Sequence, residues 1–177
     1  MTPPGDELRE LERASLLDFV GTCAPYFTGR RVLDYGCGKQ PYRGIVVRAG
    51  GDYVGYDRRV FPANVGLSEY GDDDEVFENR FGAILCTQVV QYVDDPGALL
   101  VILAALLEDG GRLVLTGPTT WPEVEPEDLH RHTISGIGRL VAQAGLEIER
   151  LVSRARGELL GNTVSLGYGL VARRPPR

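Results

Sequence analysis

The run Arg31-Val32-Leu33-Asp34-Tyr35-Gly36-Cys37-Gly38 constrains this chain most: an apolar strand enters a glycine turn, and a helical stretch from Lys39 to Ala49 follows until Gly50-Gly51 stops it. Glycine accepts positive φ and leaves neighbouring amides uncovered, so such a unit lets a ligand lie against backbone N–H groups at a helix N-terminus. A strand, glycine turn and helix in this order predict a parallel sheet with its ligand crevice at the carboxyl ends of the strands. The third glycine of the dinucleotide fingerprint is missing, Pro41 standing in that region, and no Gly-x-x-x-x-Gly-Lys-Ser/Thr segment occurs. Dinucleotides and nucleoside triphosphates are therefore disfavoured as ligands.

Strand and helix patterns alternate along the rest of the chain. A 3.6-residue apolar pattern predicts a helix over 6–20, and strands are expected over 53–57, over 65–70 with weaker alternation, and over the continuously apolar 81–86. Asp95 and Pro96 form an N-cap and first helical position for a helix through Leu107, closed by Gly110-Gly111. A strand at 113–115, a helix capped by Thr133 or Ser135 and ending at Ala144, and strands at 146–152 and 164–172 complete the pattern. The last two strands have no helix between them and should pair antiparallel at one edge. The expected fold is α/β, a Rossmann-like doubly wound, mostly parallel sheet with an antiparallel edge strand. It forms one domain over 1–177, with a short disordered tail at 173–177.

Charge and composition narrow the function. A net charge of -6 lacks the basic footprint that phosphate backbones require, so no nucleic-acid partner is expected. No apolar run reaches the roughly 20 residues of a membrane span, and the N-terminus shows no secretory signal, so a cytoplasmic location without membrane attachment is expected. The 3 cysteines, Cys23, Cys37 and Cys86, are widely spaced and form no Cys-x-x-Cys pair, which predicts reduced thiols. His130 and His132 lie near Glu127 and Asp128, but three ligands of suitable geometry are not evident, so no metal is expected.

Asp57 falls 19 residues after Gly38, at the end of the second strand, where a carboxylate accepts hydrogen bonds from ribose hydroxyls and disfavours a 2′-phosphate. Together VLDYGCGKQPY at 32–42, YVGYD at 53–57, FGAILCTQVVQYV at 81–93, LLEDGGRLVLTGP at 106–118 and RHTISGIGRLVAQAGLEIE at 131–149 resemble class I S-adenosylmethionine-dependent methyltransferases of the type 11 group. The resemblance covers about residues 30 to 152 and implies a methyltransferase acting on a small-molecule acceptor, with S-adenosylhomocysteine as product. Carried over position by position, it assigns the cofactor to the turn Asp34, Tyr35, Gly36, Cys37 and Gly38, to Asp57, to Arg58 beside the adenine, to Asp72 at the adenine amino group with Asp73 and Asp74 as competing positions, and to Thr87 and Gln88 facing the sulfonium.

The sequence departs from that family at Gly82, where Asp is common, and at Tyr92, where His is frequent. Candidate catalytic bases are then His130, His132 and Tyr92. The loop from Pro118 to Thr133 is the segment long enough to close over an acceptor, and Trp121, His130 and His132 are expected to line that pocket. The helix from Ala98 to Leu107 is apolar throughout, so something must cover its outer side. The N-terminal helix or sheet edge is one candidate; a homodimer or a methyltransferase partner meeting helix 96–109 is the other. A non-catalytic partner subunit, and a cyclase or isomerase on the same scaffold, are the alternative functions.

Overall fold

The computed structural model describes residues 4–57, 76–122, 128–159 and 162–176. Six strands form one sheet: β1 (Arg31–Tyr35), β2 (Asp52–Tyr56), β3 (Phe81–Thr87), β4 (Leu107–Pro118), β5 (Glu147–Leu159) and β6 (Asn162–Arg173), in the order β2-β1-β3-β4-β6-β5. The first four are parallel, while β6 runs antiparallel to both β4 and β5. The expected mixed α/β sheet with antiparallel pairing at its edge is thus the observed one. Register brings the parallel strands to a common rim, with Tyr35 opposite Tyr56 and Thr87 opposite Thr116.

Alternation along these strands divides the core between two faces. Leu33, Ile84, Leu113, Leu115 and Leu170 point to one side, against the helices α3 (Pro96–Leu106) and α4 (Ile134–Gln143). Val32, Leu85, Val114 and Val171 point to the other, against Leu16, Phe19 and Val20 of α1 (Pro4–Thr22) and Val46 of α2 (Arg43–Arg48). Both faces of β3 are therefore covered, and all seven of its residues are buried, which is why its sequence is continuously apolar.

Several boundaries differ from those the sequence suggested. Helix α1 runs past Gly21 to Thr22, and α2 begins at Arg43 rather than Lys39 because Gln40 has φ +54 before Pro41. Helix α3 ends at Leu106, so the helix expected to reach Leu107 and the docking segment 96–109 are both shortened. Leu107 already pairs with Phe81, and Glu108 to Gly111 bulge from β4 opposite Gly82. Capping follows expectation at both helices: Asp95 Oδ1 accepts from Ala98 N at 2.9 Å, and of the two candidates Thr133 caps α4, its Oγ1 accepting from Gly136 N at 3.0 Å.

The tail is ordered at its start. Arg173 closes β6, and the Arg174 backbone exchanges hydrogen bonds with Gly110 and Gly111 while its guanidinium reaches the carbonyls of Ala104, Ala105 and Leu107. Helix α1 lies on the face opposite α3, so it does not cover the outer side of α3; Ala98, Val101, Ile102 and Ala105 stay exposed there, while Leu100 and Leu103 are fully buried. The strand expected over 65–70 lies outside the described residues. No described helix is long and apolar enough to cross a membrane.

Candidate functional site

The turn after β1 is built from two glycines and the end of β2. The amides of Gly36 and Cys37 both donate to the Tyr56 carbonyl, at 2.7 and 3.0 Å, folding the turn back over the neighbouring strand. Gly36 has φ +73, and a Cβ there would stand 2.3 Å from Val89 Cγ2. Gly38 has φ +51, yet a Cβ built on it would meet nothing within 4 Å among the described residues. Its N–H donates to Asp57 Oδ2 at 2.8 Å. The turn is thus tied to the end of β2 and keeps open space over Gly38.

Under the turn lies a buried acidic group. Asp34 is fully buried; its Oδ2 accepts from Tyr53 Oη at 2.7 Å, and its Oδ1 has no hydrogen-bond partner among the described residues. Burial pushes its carboxyl up to about 7, against the opposing hydrogen bond from Tyr53, with the nearby Asp57 charge adding to the rise. Cys37 is buried beside it, and burial together with the Asp34 and Asp57 charges raises its thiol, which disfavours the thiolate. Tyr35 stacks obliquely on Tyr56 with centroids 5.3 Å apart. Arg58 and Asp72 lie outside the described residues.

At the carboxyl end of β3, Thr87 is 6% exposed and Gln88 adopts φ +58. A non-glycine residue in the left-handed region costs about 1–2 kcal/mol and persists where its surroundings hold it. Here the Gln88 amide donates to the Thr116 carbonyl at 3.1 Å, its side-chain Oε1 accepts from Gln91 Nε2 at 3.3 Å, and its Nε2 donates to Glu12 Oε1 at 3.4 Å.

That last contact links the strand ends to α1. Glu12 and Arg154 form a buried ion pair of 2.8 Å, with side chains 12% and 3% exposed. Arg154 also donates to the Tyr168 carbonyl and to Ser15 Oγ. Glu12 Oε1 is thereby engaged, while Oε2 is buried with no hydrogen-bond partner among the described residues. Around this carboxylate opens a cavity of about 240 Å³. Helix α1 contributes Arg9, Glu12, Arg13 and Leu16; the segment after β3 contributes Gln88, Gln91 and Tyr92; and Pro118, Trp121, Asp128 and Arg131 close it from the β4 side.

The structure brings Tyr92, Gln88 and Trp121 of the expected site to this cavity, but neither histidine is among the described residues lining it. His130 places its Nε2 3.0 Å from the Val93 carbonyl and its amide on the Gln91 carbonyl, fastening the loop. The two imidazoles stack with centroids 5.6 Å apart, and burial with the neighbouring His130 lowers the pKa of His132. Among the described residues no group of three metal-ligating side chains occurs. Glu12, Arg13 and Arg154 escaped the sequence reading because the first two show only an amphipathic helix and Arg154 lies just beyond the strand expected over 146–152; a contact between residues 142 apart leaves no local signal.

Comparison with known proteins adds to this geometry. The family model described as "Methyltransferase domain" matches residues 8–151. A ubiquinone biosynthesis O-methyltransferase of Alkalilimnicola ehrlichii is 27% identical over 117 residues, covering 56% of this chain and 46% of that protein. Its counterpart in Cereibacter sphaeroides is 33% identical over 101 residues, covering 50% of this chain and 41% of that one. The chain thus matches less than half the length of either relative. A structure from Mesorhizobium loti, described as an S-adenosylmethionine-dependent methyltransferase, superposes with a TM-score of 0.70 at 16% identity, covering 93% of this chain and 100% of that one.

Proposed function

The chain belongs to the methyltransferase-domain family, and from that premise we propose that it binds S-adenosylmethionine at the ends of β1, β2 and β3 and methylates a small molecule held in the cavity beside α1. The observation that carries the cofactor reading is the open space over Gly38 beside a turn fastened to Asp57. In this reading Asp57 holds the ribose hydroxyls, and the glycine turn leaves its backbone open to the methionine part. Asp34 offers its unpartnered Oδ1 to a donor on the same ligand, and Thr87 and Gln88 face the sulfonium. By the resemblance, Arg58 and one of Asp72, Asp73 and Asp74 meet the adenine.

When bound, the cofactor supplies a methyl group on a sulfonium, whose departing sulfur is neutral. The protein's work is then alignment and desolvation of the nucleophile. Helix α1 and the loop carrying Trp121 wall off the cavity; Gln88, held in its strained conformation, stands between the two halves of the site. Glu12 Oε2 and the Tyr92 hydroxyl are the titratable groups we place beside the acceptor's reacting atom, and His130 and His132 brace the loop behind them.

Isothermal calorimetry with S-adenosylhomocysteine, followed by mass-spectrometric detection of its release from S-adenosylmethionine with candidate acceptors, tests this function. Binding that depends on Gly38 and Asp57 is the expected result. A folded protein that binds neither form of the cofactor would overturn it.

A further inference from the structure

The charges around the cavity are not balanced. Arg131 is spent on Asp128, which it grips through both terminal nitrogens, and Glu12 is spent in part on Arg154, which lies behind it. Arg9 and Arg13, one helical turn apart on α1, line the same cavity and make no ion pair or hydrogen bond among the described residues. Between them sits Glu12 with its buried, unpartnered Oε2. Leu16, Tyr92 and Trp121 supply apolar wall. A ligand complementary to this surface needs an anionic group for the guanidiniums, a donor hydrogen for Glu12, and a flat apolar body between them.

We propose that the acceptor is a small hydroxy acid of the phenolic carboxylate class, its carboxylate read by Arg9 and Arg13 and its hydroxyl donating to Glu12 Oε2. The proposal rests on the reading that this cavity is the acceptor site. Size agrees with it: pockets for drug-sized ligands run from about 300 to 1,000 Å³, whereas this cavity, at about 240 Å³, suits a single ring. The arginines set which molecules enter, and Glu12 selects the end that meets the methyl donor. A neutral ester of the same acid would leave both cations without a partner.

The experiment uses three probes, 3-hydroxybenzoate, its methyl ester and benzoate, titrated calorimetrically into wild-type protein and into an Arg9→Gln/Arg13→Gln double variant, with and without S-adenosylhomocysteine. Losing charge-assisted hydrogen bonds typically costs about tenfold or more in affinity. The acid should bind at least about tenfold more tightly than its ester and more tightly than benzoate, and the double variant should remove the acid–ester difference. Its affinity for S-adenosylhomocysteine should change less than about twofold, as expected of a group that does not touch the cofactor. Equal affinity for acid and ester, or no binding of any probe, would overturn the proposal. So would an equal loss of S-adenosylhomocysteine affinity in the double variant, since the arginines would then serve the cofactor. If S-adenosylhomocysteine fails to bind wild type, the cofactor reading falls, while the acid–ester comparison on the cofactor-free protein still decides this one.

Discussion

Gly36 and Gly38 share a turn and a residue type but are required for different reasons. At Gly36 a side chain would collide with Val89, so its substitution strikes the packing between the β1 and β3 ends. At Gly38 a side chain meets empty space, and the positive φ alone resists it. Gly38→Ala should cost about 1–2 kcal/mol of stability and leave a folded protein, whereas Gly36→Val adds overpacking of about 1–3 kcal/mol to a similar strain. Chemical denaturation of both variants checks the order; a Gly36→Val protein as stable as Gly38→Ala would contradict it. The Asp34 carboxyl is raised by burial from 3.8 to about 7. The favourable contribution of the protonated form is therefore complete below about pH 4 and is lost as pH rises through 7. Asp34→Asn, which keeps an oxygen for Tyr53, should raise the melting temperature at pH 8 and change it little at pH 4. Equal effects at the two pH values would mean that Asp34 ionises normally in the fold.

At the scale of elements, α1 and α3 show how much a helical pattern leaves open. The uniform apolarity of α3 suggested a helix needing cover all round, but the turn of the helix sorts its residues by environment. Leu103 is fully buried while Val101 is 56% exposed. Leu103→Ala should cost about 2–5 kcal/mol, and Val101→Glu should stay within about 0.5 kcal/mol. Unfolding curves showing the reverse would place the other face of α3 in the core. Helix α1 was legible as an amphipathic helix, and Leu16, Phe19 and Val20 of its apolar pattern pack into the core while Leu11 stays exposed. Its polar side was not legible, because nothing near Glu12 in the chain announces Arg154. The ion pair fixes α1 against the middle of β5, and removing one member of a buried pair costs about 3–5 kcal/mol. Arg154→Ala should therefore lower stability by about that amount; a loss below about 1 kcal/mol would show the pair to be screened by solvent.

For the whole molecule, the parallel order β2-β1-β3-β4 brings the ends of four strands to one rim, and the antiparallel β6-β5 pair extends the sheet under α1. The α/β class, the strand–glycine turn–helix unit and the place of Asp57 at the end of the second strand were readable because each rests on local spacing; the 2.8 Å bond from the Gly38 N–H to Asp57 is what the structure adds. Thr87, Gln88 and Tyr92 were singled out by the family resemblance, and they lie at and just beyond the end of the apolar strand β3. The cavity was not, since it exists only where α1, β3 and β4 converge, and the histidines chosen for it turn to the Val93 carbonyl and to each other. The central claim is that the space over Gly38 and the carboxylate of Asp57 receive S-adenosylmethionine. Calorimetric titration of S-adenosylhomocysteine into wild type, Gly38→Ala and Asp57→Ala tests it most directly, with folding of each variant verified by its unfolding curve. The account predicts binding by wild type and a loss of about 1.5–3 kcal/mol, roughly ten- to hundredfold, in each folded variant; undiminished affinity in both would contradict it.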